Sequence, residues 1–336
     1  MMIGIVKETQ KLETRVPITP RNVSLLKNLG FEVAIETKSG EKSLFSDDDY
    51  KNAGAIITQN SKEVLNNSDV LFKVNSPSIN EVKSLKEQCT IIGNMQNLTS
   101  SELTLIKKNK ITCFGLEKLP RTSQAQPFDI LSSQNNLAGY QAVIKAASLS
   151  TRTIPLMITS AGTLPALKFL IIGAGVSGLQ AIATAKRLGG KVFANDTREE
   201  VKEQISSLGA TFINDIKTIL PEIDIVISSA LSDKKKAPII ITTKDILSLP
   251  SHSILIDMAS QFGGNIEGSK NLQTISFKNR TIYGNSHLEN LAPTSASTLF
   301  ANNLFNFLQY IYSTEKSSFK LDFTDSIINE TCISKG

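Results

Sequence analysis

Several kinds of residue are scarce in this chain, and each scarcity removes a class of function. Its 336 residues include no tryptophan, three cysteines and two histidines. Cys89, Cys113 and Cys332 are scattered without paired spacing, which suits a reducing compartment and argues against a disulfide framework or a zinc site. His252 and His287 stand in no ligand-spaced cluster, so metal-assisted catalysis has little to build on. Neither sign of charge dominates: 36 Lys and Arg against 31 Asp and Glu leave +5. No segment interleaves dense cations with aromatics, so no nucleic-acid partner is expected. The compact run Lys234-Lys235-Lys236 reads as an exposed loop. Long hydrophobic runs are missing as well. The longest, over residues 169–185, is interrupted by glycines, so no direct membrane insertion is expected. The start, Met1 to Lys7, lacks the apolar core and cleavage site of a signal peptide and reads as a first strand.

What the chain does have is a repeated alternation of short β-rich runs with helical patterns. Its length favours two domains. In the first 118 residues the strand runs are Ile3–Val6, Phe31–Ile35, Ala55–Thr58, Asp69–Val74, Thr90–Met95 and Ile111–Leu116, with a helix opened by Thr19 as cap and Pro20 as first residue and running to Leu29. A second series starts at Lys168 and continues through Lys191–Asn195, Asp224–Ser229, Ser253–Met258 and Thr281–Gly284. Long helical patterns cover Asp129–Ser150 and Pro293–Ser313. The first is flanked by the irregular Lys118–Phe128 and the Gly/Pro-containing Thr151–Pro165, and the second is followed by a polar tail. The expected fold class is α/β, with two doubly wound Rossmann-like domains built on parallel sheets. Residues 1–131 with about 314–336 form the first domain and 132–313 the second, the long helices bridge the lobes, and the cofactor is expected in the cleft between them.

The most specific local signal is Lys168-Phe-Leu-Ile-Ile-Gly173-Ala-Gly175-Val176-Ser-Gly178, a strand, a glycine turn and the start of a helix. Gly173 permits the tight turn, Gly175 lets backbone approach a pyrophosphate, Val176 opens the helix, and Gly178 lets that helix lie close on the strand. Asp196 follows at the end of the next strand, where an acidic residue is expected to grip an adenosine ribose. A carboxylate there favours NAD over NADP, because it repels a 2′-phosphate. Arg198 reads as a solvated residue in the first turn of a polar helix.

A second stretch, Pro120-Arg121-Thr-Ser-Gln-Ala-Gln126-Pro-Phe-Asp129-Ile-Leu-Ser132, resembles the NAD(H)-binding domain I of the proton-translocating nicotinamide nucleotide transhydrogenases, in the superfamily of the alanine dehydrogenases. The likeness extends to Lys7-Glu8, Glu13-Thr-Arg15-Val, Lys73-Val-Asn-Ser-Pro77, Ala161-Gly-Thr-Leu-Pro165, Gly263-Gly-Asn265 and Asn303-Leu-Phe-Asn-Phe-Leu308. It implies a separate alpha subunit that binds NAD(H), forms a homodimer and docks at the cytoplasmic face of the inner membrane on partner subunits that span the membrane and bind NADP(H). Hydride would pass directly between the two nicotinamides while protons cross the membrane. The resemblance gives Gln126 the nicotinamide carboxamide, Arg121 and Asp129 the fixing of the loop and ring face, and Ser132 a further hydrogen bond. An Arg121–Asp129 pair that only stiffens the loop is the plainer reading of those two.

Alanine dehydrogenases in the same superfamily use an Arg and a Lys, matching Arg15 and Lys73, to hold a keto acid. Their catalytic His and Asp are replaced here by Asn94-Met-Gln96-Asn and Ser260-Gln261-Phe262. Without an acid/base group a dehydrogenase has no proton shuttle, which leaves Arg15 and Lys73 as structural residues. The chain also departs from the transhydrogenase pattern. Ser232-Asp233-Lys234-Lys235-Lys236 stands in the mobile loop before Ala237-Pro238, the stretch Gly284–Ala292 has drifted, and Pro127 biases Gln126 toward extended backbone. A module that senses NAD without turnover is the alternative those departures keep open.

Overall fold

The computed structural model describes residues 1–231 and 236–336. The run Ser232–Lys235, most of the altered loop noted above, lies outside the described residues. The chain divides into two compact units, Met1–Gln134 with Ala292–Gly336, and Asn135–Leu291. Central strands such as Val70–Lys73, Thr90–Gly93, Ile225–Ser228 and Ile254–Asp257 are buried along their whole length, as sheets covered on both faces require.

In the first unit the sheet order is Cys332–Ser334, Thr112–Gly115, Thr90–Gly93, Val70–Lys73, Met2–Ile5, Glu32–Glu36, Ile56–Thr58. Every pairing is parallel except that of Cys332–Ser334 with Thr112–Gly115. Strand order therefore reverses between Met2–Ile5 and Val70–Lys73. The helix Pro20–Asn28 begins as the sequence predicts: Thr19 accepts from the Asn22 amide, and Pro20 is its first residue. Helix Pro293–Ile311 lays Phe300, Leu304, Phe307, Leu308 and Ile311 into the same core as Phe31, Phe114 and Phe128. Phe307 meets Phe114 and Phe128 edge-on, with centroids 5.3 and 5.8 Å apart. The tail beyond Ser313 is more structured than its polarity predicts. Asp325 caps the helix Ser326–Thr331, which buries Ile327 and Ile328 in that core and leads into the edge strand.

In the second unit the order is Thr211–Phe212, Lys191–Asn195, Lys168–Ile172, Ile225–Ser228, Ile254–Asp257, Arg280–Gly284, Gln273–Phe277. All pairings are parallel except the last, a hairpin turning through Lys278 and Asn279, whose φ angles are +46° and +60°. Both sheets thus carry an antiparallel edge strand that the apolar patterns of the sequence do not announce. The irregular-looking Thr151–Pro165 contains another hairpin, Met157–Thr159 against Gly162–Leu164, in which every residue is exposed.

Candidate functional site

The strand Lys168–Ile172 runs into Gly173 at the point where this second sheet reverses its order, between Lys191–Asn195 and Ile225–Ser228. Gly173 has φ +91°, and a Cβ there would lie 3.0 Å from the Ala230 amide nitrogen. Helix Val176–Arg187 starts after Gly175, which is extended and offers no side-chain acceptor. The first-turn N–H groups therefore lack an internal partner at the positive end of the helix dipole. A Cβ on Gly175 would meet nothing within 4 Å, and Gly175 and Val176 are both exposed. The opposite holds behind the turn. A Cβ on Gly178 would come within 1.8 Å of the Gly173 carbonyl oxygen, and one on Gly139 within 2.1 Å of the Ser177 carbonyl oxygen. The helix start is wedged between the strand and the long helix Ile130–Leu149, and its donors face open space. A pyrophosphate fits such a cradle; a side chain would fill it.

Asp196 directly follows the strand Lys191–Asn195 with its carboxylate largely buried. Oδ2 accepts the Ala174 N–H at 2.6 Å, which ties the acid to the glycine turn. Burial pushes its pKa up, yet hydrogen bonds from Arg198 and the Ala174 amide, together with the Arg198 charge, hold it below the ordinary aspartate value. Arg198 is not the free first-turn residue that the sequence predicts. It stands just before the short 3₁₀ turn Glu199–Val201, and its guanidinium forks onto Asp196 at 3.0 and 3.1 Å.

The residues of the second stretch lie in the first unit. Gln126 is exposed within a 3₁₀ turn, Ser123–Phe128, and is not extended as Pro127 led us to expect. Tertiary contacts override the local bias: the Pro127 carbonyl accepts from Asn303 at 2.8 Å and Asn306 at 3.3 Å, and Phe128 is buried against Phe307. Asp129 caps the helix Ile130–Leu149, accepting the Ser132 N–H at 2.8 Å and the Ser132 hydroxyl at 2.6 Å. The structure therefore joins Asp129 to Ser132. Arg121 is exposed and makes no hydrogen bond or ion pair with Asp129 or any other described residue.

A cluster of charges fills the first sheet's reversal point. Arg15 donates to both carboxylate oxygens of Glu13, at 2.8 and 2.7 Å, and to the Gln134 side-chain oxygen at 3.0 Å. Lys73, almost wholly buried, pairs with Glu81 at 2.9 Å and Glu8 at 3.4 Å, and Asn75 bridges Glu8 and Glu13. Burial raises the Glu8 pKa, with Lys73 opposing it. Burial also pushes Glu13 up, but the Arg15 hydrogen bonds and charge prevail and bring it down to about 2. The two cations matching the keto-acid grip are thus already paired with carboxylates of this chain.

Two family descriptions account for nearly the whole sequence: "Alanine dehydrogenase/PNT, N-terminal domain" matches residues 4–138 and "Alanine dehydrogenase/PNT, C-terminal domain" residues 142–336. The chain belongs to the alanine dehydrogenase/PNT family. Within it, the similarity is with the transhydrogenase alpha subunits. The first of the chains that make up the NAD(P) transhydrogenase alpha subunit of Rhodospirillum rubrum is 36% identical, the alignment covering 100% of this chain and 96% of that one. The crystal structure of a transhydrogenase from Sinorhizobium meliloti superposes with a TM-score of 0.93 at 36% identity, over 100% of this chain and 99% of that one. An L-alanine dehydrogenase structure shares the fold, with a TM-score of 0.85 at 24% identity over 100% and 96% of the two chains.

Membership in the alanine dehydrogenase/PNT family draws attention to two positions whose partners no sequence pattern indicates. Asn265, wholly buried, donates to the Ala230 carbonyl at 2.8 Å and the Pro238 carbonyl at 2.9 Å and accepts from Ser228, so it ties together the two described ends of the altered loop. Gln261, where the dehydrogenase resemblance puts an Asp, has its side-chain oxygen 2.7 Å from His287 Nε2, while Nδ1 of that ring lies 3.3 Å from Glu289. Asn94, where the resemblance puts the His, accepts the Gln96 N–H at 3.0 Å. Only the Gln261 position has an imidazole beside it, and no spacing in the sequence announces that neighbour.

Proposed function

We propose that this chain is the NAD(H)-binding alpha subunit of a proton-translocating transhydrogenase, an oxidoreductase whose own contribution is placement. The observation that carries this reading is the glycine turn. It presents open, unshared N–H donors at a helix start, with a carboxylate tied to the same turn at the neighbouring strand end. The pyrophosphate would rest on the amides from Gly175 onward, with Gly173 and Gly178 shaping the turn and Val176 beginning the helix. Asp196 would take the adenosine ribose. Gln126 would hold the nicotinamide carboxamide, and Arg121, exposed, would reach the cofactor. Asp129 and Ser132 would act by fixing the helix start beneath the loop.

When bound, the reduced nicotinamide supplies a hydride. The chain would orient that ring and exclude water, which is all that direct transfer to an NADP(H) on a partner subunit demands of it. Partner subunits would supply the membrane-spanning domain and the NADP-binding domain, and this chain would sit peripherally at the cytoplasmic face of the inner membrane. A homodimer is supported by the exposed hairpin Met157–Leu164, where Leu156, Met157, Ile158 and Leu164 face solvent.

The test is to mix the chain with an NADP-binding partner domain and assay NADH against an oxidised NADP analogue. Turnover should appear in the mixture and not with the chain alone. Gln126→Ala should slow transfer more than it weakens NADH binding, and equal losses would contradict the placing role. One observation favours a second reading: His287 beside Gln261 is an imidazole near the position of the dehydrogenase acid. Oxidation of alanine by NAD with the chain alone, lost in His287→Ala, would select an alanine dehydrogenase-like enzyme. Turnover under neither condition would select the NAD sensor.

A further inference from the structure

The adenosine end of the glycine turn carries one more inference, which rests on NAD(H) binding at that turn. A carboxylate that grips a ribose diol needs lone pairs free to accept two hydroxyls. Those of Asp196 are already engaged. Oδ1 accepts the Arg198 backbone N–H at 2.9 Å and Arg198 Nε at 3.0 Å, and Oδ2 accepts the Ala174 N–H at 2.6 Å and Arg198 Nη2 at 3.1 Å. The two backbone contacts position the acid. The guanidinium, in contrast, spans both oxygens in the manner of a diol. Its side chain is 50% exposed, whereas the Asp196 side chain is 7% exposed, so Arg198 is the member of the pair able to move. A planar fork freed from its carboxylate is also the side chain best suited to a phosphate.

We propose that Arg198 is a specificity-determining residue that occupies Asp196 in the free chain in place of the adenosine ribose and, once displaced, lies beside the ribose 2′ position. Two opposite effects follow. NADH must displace the fork before Asp196 can accept its hydroxyls, so the pair weakens NADH binding. A dinucleotide bearing a 2′-phosphate meets a cation that offsets the Asp196 charge, so the pair relaxes the exclusion a bare carboxylate would impose. Arg198 acts on the ribose through Asp196 and on the phosphate directly, and neither role asks anything of the fold.

The experiment is direct binding of NADH and NADPH to the intact chain, followed by fluorescence or calorimetry, for the unaltered protein, Arg198→Ala and Arg198→Lys. In Arg198→Ala the NADH Kd should fall roughly two- to fivefold, the worth of an exposed ion pair, while the NADPH Kd rises about tenfold with loss of the phosphate partner. Arg198→Lys, a cation without the fork, should gain NADH affinity as Ala does and keep most of its NADPH affinity. NADH binding that is unchanged or weaker in Arg198→Ala, or NADPH binding that does not weaken, overturns the proposal. Failure of the unaltered chain to bind NADH at all overturns the cofactor site itself, and this inference with it.

Discussion

Gly175 and Gly178 stand three residues apart and answer to different constraints. Gly178 is held by packing, since its Cβ would collide with the Gly173 carbonyl, whereas Gly175 faces empty space and is needed only by a ligand. Gly175→Ala should therefore keep its melting temperature and lose NADH binding, while Gly178→Ala should be destabilised by about 1–3 kcal/mol as well; thermal unfolding and an NADH titration on both variants read the difference. Glu13 makes a pH prediction. Its pKa, brought down to about 2 from an ordinary 4.5, gives stability that is present above the unfolded value and lost as pH falls through the folded one. The intact chain should lose on the order of 3 kcal/mol between about pH 4.5 and pH 2 from this group, and Glu13→Gln should flatten that part of the acid-unfolding curve. At this scale the glycines and Asp196 are legible in the sequence because each serves a local backbone requirement at a fixed spacing. The Arg198 fork, the His287–Gln261 contact and the turn at Gln126 are not, because each depends on segments that only folding brings together.

The core strands and long helices follow closely from their apolar patterns. Lys191–Asn195 agrees at both ends, and Pro20–Asn28 starts where Thr19 and Pro20 say it should. The pieces that escape such patterns are those without a buried periodic face. Gln273–Phe277 is half exposed on a sheet edge, the Met157–Leu164 hairpin buries nothing in its own unit, and the tail offers only Ile327 and Ile328 as apolar anchors. Helix Pro293–Ile311 shows what a periodic stripe does carry. Its Phe307 is fully buried between Phe114 and Phe128, so Phe307→Ala should cost about 3–5 kcal/mol, read as a lowered urea midpoint. Because Phe128 ends the turn that bears Gln126, the same variant should also impair hydride transfer.

For the whole molecule, two glycine-turn and loop signatures on a pair of doubly wound sheets were enough to point to the family, and the matches over residues 4–138 and 142–336 bear that out. Self-association is written less plainly, since an apolar hairpin of this size gives no periodic signal. Ile158, 76% exposed, is its most prominent apolar side chain. Ile158→Asp should convert the proposed dimer to a monomer in sedimentation equilibrium without lowering the stability of the protomer, and a mass unchanged from the unaltered chain would put the contact elsewhere.

The central proposition is that this chain places a reduced nicotinamide and moves no protons of its own. It is tested most directly by giving the chain NADH deuterated at the transferable C4 position, in ordinary water, together with the NADP-binding partner domain and oxidised NADP. Direct transfer predicts that the deuterium is recovered in the NADPH formed, with none in the solvent; deuterium in the water, or solvent hydrogen in the product at that position, would contradict it.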